Sequence, residues 1–423
     1  MAEQIIKPRG TQDIFGDNKK IYDYITSVLD RYFKNYGVNK IDIPTFEETK
    51  LFIRSVGEST DIVNKEIYNL ESKGEHQTSL RPEFTAGIMR ALIENKLYAT
   101  PDLPLKLGYY GSVYRYERPQ KGRYRELHQG GVEFVDNNLD IITKIDCLNL
   151  FYSAAKELLG NNIYLVINYL GAEDARKKWR EALREFFKSH LDTMCEDCKR
   201  RFEVNPLRIL DCKVEHDHEL GLNAPNITDF LSEEDKKYYD DICTELDNLG
   251  IKYKRDPHLV RGLDYYTGIV FELYIEQGDL PLALGAGGQY ANLTAELNGP
   301  KMEGIGFSFG LDRLLMCFNE SLKSDVLNKY ALDFFVYSFN KNPEGVKEIN
   351  DILKTIRNSN YSAIAAPMTK AFGGSLKQAA RMNTKYLLLI NEDLSLEIKD
   401  FSKREQQKIS KEEFTKMLSE RKF

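Results

Sequence analysis

The sequence predicts an α+β protein in two parts: a large unit of strands and helices interrupted by a polar helical module, then a compact α/β domain. Three observations carry this. The stretch 103–135 reads as strand, loop, strand; residues from about 172 to 255 turn polar and helical; and past about 326 short apolar runs alternate with amphipathic ones as βαβαβ. A chain of 423 residues suits two or three domains. The expected boundaries are 1–325, with the helical insertion at about 172–255, and 326–423.

Each element has its own signal. Residues 17–36 set Ile21, Ile25, Val28, Leu29 and Tyr32 at helical spacing. "KIDIPTF" (40–46) alternates like a strand, and Pro44, lacking an N–H, suits an edge strand or a strand end. "ETKLFIRSVG" predicts a helix, and "SLRPEFTAGIMRALIENK" a short approach with a helix from about Glu83. The runs 103–116 and 125–135 predict strands, and "ERPQKGRY" between them carries the Pro and Gly of a loop. A helix over 140–159 and a strand in "NIYLVINYLG" precede the polar module. Strands return in "GIVFELYIEQGDLPLALGAGGQYANL", and "GIGFSFGLDRLLMCF" passes from strand to helix. In the last domain "ALDFFVYSF", "YSAIAAP" and "KYLLLI" predict strands, alternating with helices in "GVKEINDILKTIRN" and "SLKQAARMN". A strand "SLEIKDF" and a helix "SKEEFTKMLSER" close it.

A formal net charge of −6 argues against a general polyanion binder, so any nucleic-acid contact must come from local patches. No apolar run approaches the ~20 residues of a membrane helix, and the start "MAEQIIKPRG" lacks the hydrophobic core of a secretory signal. Six cysteines in so long a chain point to reduced thiols and a cytoplasmic location.

Four constellations could carry chemistry. In "YRYERPQKGRYRELHQGGVEF" (114–134) a hairpin tip bears Arg118, Lys121, Arg123 and Arg125, with Arg115 at the end of its first arm. Guanidinium forks match phosphate oxygens. On the second arm Leu127, Gln129, Gly131 and Glu133 share one face, so Gly131 would leave a trough between an amide and a carboxylate. The alternative is a solvated, charge-laced hairpin. In "LVRGLDYYTGIVFEL" (259–273) Arg261 lies near paired Tyr265 and Tyr266, either a charged pocket or tyrosines packed in the core. In "GIGFSFGLDRLL" (304–315) a strand turns into a helix with Arg313 in its first turn, where free N–H groups attract anions. In "LRPEFTAG" (80–87) Glu83 could cap a helix or accept a hydrogen bond from a substrate ammonium, with the Thr85 hydroxyl beside it.

Together and in this order, these stretches resemble the histidyl-tRNA synthetase family, class II aminoacyl-tRNA synthetases of the bacterial type. The resemblance covers essentially the whole chain. It starts at "PRGTQDIFG" (8–16) and continues through the motif 1 segment with Pro44 and "GESTDIVNKEIY" (57–68). The 114–134 stretch is similar to motif 2, "LVRGLDYYTG" to the histidine-specific signature, "GIGFSFGLDRLL" to motif 3, and the last unit to the anticodon-binding domain. The resemblance implies an antiparallel catalytic sheet flanked by helices. It implies ATP bound bent with Mg²⁺, Arg115 and Arg313 on the phosphates, and Arg123 and Leu127 completing the nucleotide site. Leu127 stands where the family commonly has an aromatic against adenine. Glu83, Thr85 and Gln129 would hold the amino and carboxylate groups of L-histidine. Glu133 with Tyr266 would read the imidazole, Tyr265 standing next to them, and Arg261 would lie against the carboxylate and α-phosphate. Arg115 and Arg261 would thus be the catalytic cations. Arg118 and Gln120 would meet the tRNA(His) acceptor end, and motif 1 implies a homodimer. The run "GAGGQYANL" (285–293) replaces a usual "GGGGRYDGL"-like run. Gln289 is therefore assigned no substrate role, and Tyr290 is expected as a pocket wall.

Two readings compete with a histidine-specific ligase: a non-catalytic regulatory or sensor subunit on the same scaffold, and a class II enzyme for another amino acid. The first would be expected to lose catalytic arginines or the histidine signature, which are retained here. The second would need a pocket lined differently from Glu133, Tyr265 and Tyr266. Cys195, Cys198 and Cys212, with His216 and His218, could frame a zinc site in the insertion or be plain thiols, so no metal is assigned firmly. His128, opposite in parity to Gln129, is expected to pack or hydrogen-bond within the sheet.

Overall fold

A computed structural model describes residues 4–57, 60, 62–71, 74–212, 214–263, 265–276 and 281–423. Glu58, Ser59 and Asp61 of the 57–68 segment, and Asp264 of the histidine-like signature, lie outside the described residues. The chain divides into two units, Met1–Asn319 and Glu320–Phe423.

Among the described residues the first unit is built on ten strands: β1 (Asn39–Lys40), β2 (Phe46–Glu48), β3 (Thr78–Leu80), β4 (Leu105–Tyr114), β5 (Glu126–Asp136), β6 (Ile163–Tyr169), β7 (Tyr253–Arg255), β8 (Tyr266–Ile275), β9 (Leu282–Tyr290) and β10 (Glu303–Gly310). Eight form one sheet in the order β1-β4-β5-β10-β9-β8-β6-β7. The six central strands pair antiparallel, and β1 and β7 add parallel edges. Helix Ile141–Leu159 covers one face, where Phe151 packs on Phe271, Phe307 and Phe309. On the opposite face Phe84 stacks on Tyr109 with ring centroids 4.4 Å apart, beside Tyr265 and Tyr290.

Helix Gly16–Asn35 follows its apolar spacing with one change: Phe33 is buried where Tyr32 is only half-buried. The strand expected over 40–46 is broken. Residues 39–40 pair with β4 and 46–48 with β3, while the carbonyls of Ile43 and Pro44 accept from the Arg81 guanidinium instead of a neighbouring strand. Pro44 has no N–H to offer a ladder. The helical insertion contains helices Glu173–Lys188, Glu196–Val204 and Glu215–Leu222 around a core that includes Trp179, Leu183, Phe187 and Ile209, and helix Glu233–Asn248, which packs on helix Ile141–Leu159. Its last expected residues, 253–255, belong to the sheet as β7.

In the second unit β11 (Phe334–Ser338), β12 (Ala363–Ala365) and β13 (Tyr386–Ile390) are parallel and joined by helices Pro343–Asn358 and Phe372–Arg381, the expected βαβαβ order. β14 (Leu396–Asp400) and β15 (Glu405–Ile409) add antiparallel. The polar, exposed β15 ("EQQKI") carries no apolar alternation to announce it.

Candidate active site

The floor of the site is a patch of sheet without Cβ atoms. Gly304 and Gly306 alternate on β10 and face the same side. A Cβ on Gly306 would strike the Glu133 carboxylate, and one on Gly304 the ring of Tyr290. These glycines let Glu133, on the paired strand β5, and Tyr290, on β9, lie flat over the backbone.

Glu133 is 2% exposed and held by two hydroxyls. Thr85 Oγ1 donates to its Oε1 at 2.7 Å and Tyr290 Oη to its Oε2 at 2.9 Å. Burial raises its pKa from 4.5 to about 8, against the pull of those two donors, and the nearby Glu83 charge raises it further. Glu83 opens helix Thr85–Glu94: its two oxygens accept from the N–H groups of Thr85 (2.6 Å) and Ala86 (2.8 Å). It therefore caps this helix, whatever else it binds. Burial pushes its pKa up, while those N–H groups and Arg115 oppose the shift.

Tyr265 and Tyr266 lie against each other at 4.7 Å between centroids, with Tyr265 edge-on to Tyr290. Burial raises both phenols, Tyr266 to about 12, where Arg261 restrains the rise and Glu133 adds to it. Arg261 is half-buried and ion-paired with Glu272, whose other oxygen accepts from Tyr274 Oη at 2.6 Å. Its Nε is buried without a hydrogen-bond partner among the described residues.

Three further arginines are anchored on neighbouring segments. Arg115 Nε donates to the Pro82 carbonyl at 2.9 Å. Arg313 is anchored by Nε to the Gly122 carbonyl (3.0 Å) and by a terminal nitrogen to the Ala283 carbonyl (2.6 Å). Burial lowers the Arg313 pKa, and Arg123 and Arg115 lower it further by like-charge repulsion, so these three cations share one field. Arg123 also pairs with Glu117 at 3.6 Å. Arg125, in contrast, lies over the Tyr116 ring at 3.8 Å and is spent on holding the hairpin. Gln120 and Arg123 exchange backbone hydrogen bonds across Gly122, leaving Arg118 and Gln120 exposed at the tip.

The structure corrects the expected trough. A Cβ on Gly131 would lie 2.6 Å from the Tyr109 hydroxyl, so Tyr109 fills the space above it. Gln129 and Leu127 are half-buried, and Leu127 packs on the Phe84–Tyr109 cluster. His128 faces away and its Nδ1 lies 3.0 Å from Asp312 Oδ1. Asp312 also accepts from the His128 N–H (2.8 Å) and from Gln12. Tyr290, expected only as a wall, is a direct partner of Glu133. Its signal, a tyrosine ending a glycine-rich strand, does not name a partner 157 residues away.

In the insertion, Cys195, Cys198 and Cys212 do come together, but with Asp217 rather than a histidine. His216 and His218 point to solvent on either side of it.

A family model described as histidyl-tRNA synthetase matches residues 10–314. A histidine–tRNA ligase from Staphylococcus haemolyticus is 40% identical over 416 residues, covering 95% of this chain and 96% of that one. One from Oceanobacillus iheyensis is 38% identical, covering 98% and 97%. The crystal structure of apo Staphylococcus aureus histidyl-tRNA synthetase superposes with a TM-score of 0.80 at 32% identity, covering 98% of this chain and all of that one.

Proposed function

The chain belongs to the histidyl-tRNA synthetase family, and from that membership we infer how this site performs histidine–tRNA ligation. The protein is a class II ligase that uses ATP. The carboxylate of histidine attacks the α-phosphorus, pyrophosphate leaves, and a terminal ribose hydroxyl of tRNA(His) then takes the histidyl group from the adenylate while AMP departs.

One observation carries the assignment of residues: a buried carboxyl, Glu133, held by the hydroxyls of Thr85 and Tyr290, with Tyr265 edge-on to Tyr290 and Tyr266 against Tyr265. Glu133, with Tyr266 and Tyr265 alongside, binds the imidazole. Held near neutral pH between acid and carboxylate, it can donate to or accept from a ring nitrogen. A substrate without that nitrogen would leave this buried carboxyl with only its Thr85 and Tyr290 bonds and its remaining capacity unsatisfied, which disfavours it. Glu83, Thr85 and Gln129 take the α-amino and carboxylate groups; the lone pairs that Glu83 and Thr85 do not use in capping and in bonding Glu133 remain available.

Arg261 turns its unpartnered Nε side toward the α-phosphate, where charge accumulates in the transition state. Arg115, Arg123 and Arg313 hold the phosphates, and Leu127 gives adenine an apolar face. Catalysis here is positioning and charge stabilisation, with no covalent enzyme intermediate. Mg²⁺ would arrive on ATP. The carboxylates in the field of Arg313, Glu117 and Glu272, are the hard oxygen donors suited to it, and the ion would supply charge neutralisation on the departing pyrophosphate.

Arg118 and Gln120 meet the acceptor end of the tRNA, and the second unit binds the anticodon. Ile5, Ile6 and Phe15 are 97%, 78% and 77% exposed, an apolar N-terminal segment suited to burial in a homodimer. Sedimentation as a stable monomer would overturn that assignment. Six free cysteines suit a cytoplasmic location. Pyrophosphate exchange into ATP tests the whole reading. Stimulation by histidine alone supports it; stimulation by another amino acid, or by none, points to one of the two competing readings.

A further inference from the structure

We propose that Cys195, Cys198, Cys212 and Asp217 form a tetrahedral zinc site that ties the helical insertion together. One ligand atom from each residue lies within 4.8 Å of all the others. Cys195 Sγ and Cys212 Sγ are 4.0 Å apart, and Cys212 Sγ is 3.8 Å from Asp217 Oδ2. Zinc–sulfur bonds of about 2.3 Å and zinc–oxygen bonds of about 2.0–2.2 Å give tetrahedral edges of roughly 3.5–3.8 Å. The four groups need only a slight contraction to close on one ion.

A second observation points to the same place. Asp217 is fully buried; its Oδ2 accepts from the Cys195 N–H at 3.0 Å, but its Oδ1 has no partner among the described residues. A buried carboxylate oxygen without a donor is costly, and a cation removes that cost. Three sulfurs and one oxygen in a closed tetrahedron suit zinc rather than magnesium or calcium. Cys195 is the N-cap of helix Glu196–Val204, whose free N–H groups favour the negative charge of the ligand set. On binding, each of the three thiols releases its proton to solvent as its sulfur bonds the metal, with no change of oxidation state.

The ligands come from separate short pieces: the start of helix Glu196–Val204, the residue after the turn Pro206–Asp211, and helix Glu215–Leu222. Elements this short gain little stability alone. Joining them through one ion would fix the wall around Trp179, Phe187 and Ile209.

The test uses the full chain, prepared reduced and without chelator, with zinc measured by plasma mass spectrometry. About one zinc per chain is expected, falling below about a tenth in Cys198→Ser and Asp217→Asn but unchanged in Cys243→Ser. Should the first two variants fail to fold, replacement of zinc by cobalt(II) in the unaltered chain decides: intense thiolate-to-cobalt absorption supports the site. Absence of that absorption overturns the proposal, as does less than about a tenth of an equivalent of zinc after reconstitution. A Cys195–Cys212 disulfide in reduced preparations, or metal loss on His216→Ala matching that of the cysteine variant, would also overturn it.

Discussion

Replacing Glu133 by Gln removes a buried proton-binding group while keeping its shape and most of its hydrogen bonding. Burial raises the folded pKa of Glu133 from 4.5 to about 8. Between those values the unfolded chain has lost the proton and the folded chain keeps it, so folding stability falls as pH rises. The contribution is fully present below the unfolded value and is lost on the way up through the folded one. From about pH 5 to about pH 7.5, at about 1.36 kcal/mol per pH unit, the native protein loses about 3 kcal/mol relative to Glu133→Gln. A unit spanning Met1–Asn319, at about 2.1 cal/mol/K per residue, converts this to about 5 °C in Tm. Thermal unfolding of both chains, followed by circular dichroism across that pH range, should show the Gln variant gaining about 5 °C on the parent. A difference that stays constant, or moves the other way, would refute the assignment of Glu133 as a buried carboxyl protonated near neutrality.

Other substitutions separate the remaining roles. Arg261→Ala should slow adenylate formation by about 10²–10³-fold while changing ATP binding only a few-fold; equal losses in pyrophosphate-exchange rate and ATP affinity would contradict its transition-state role. Tyr290→Phe removes one donor to Glu133 and should raise the KM for histidine about tenfold, a cost of about 1.4 kcal/mol, with the KM for ATP unchanged. Asp312→Asn should cost about 1–3 kcal/mol in chemical unfolding, because His128 and Gln12 both bond this buried carboxylate. The hydrogen bond to Asp312 is the main cause raising the His128 pKa, so this loss should be greatest below the ordinary histidine value of 6.5 and shrink as pH rises through the raised one. Gly306→Ala places a methyl against the Glu133 carboxylate and the Val132 carbonyl at 2.5 Å; histidine binding should be abolished, and unaltered affinity by calorimetry would show that the glycine floor is dispensable.

Elements with strong periodicity were legible in the sequence. The β4–β5 hairpin, helix Ile141–Leu159 and the βαβαβ unit follow from alternation and punctuation alone. The break at 41–45 was not, because the Arg81 side chain that takes the Ile43 and Pro44 carbonyls lies far along the chain. Within the site, parity correctly put Glu133 and Gln129 on one face. It could not reveal that Tyr109 closes the space over Gly131, which depends on strand register. The alternating Gly304 and Gly306 were a readable sign that something large lies on β10. Asp217 was hidden differently: two histidines flank it, but buried Asp217 and neighbouring Gly221, four residues on, share the inward face of the helix, while His216 and His218 look out.

Strand β5 finds its partner β10 only after the chain has run on through the insertion, with Glu133 opposite Gly306. During synthesis the ribosome therefore releases β4 and β5 long before either the glycine floor or the Tyr290 hydroxyl exists. A nascent chain at that stage carries an acidic group with no lid and a strand with one bare edge, a species prone to mispairing. The proposed amino-acid pocket is thus completed late, when the last strand of the sheet slots between two that have waited for it.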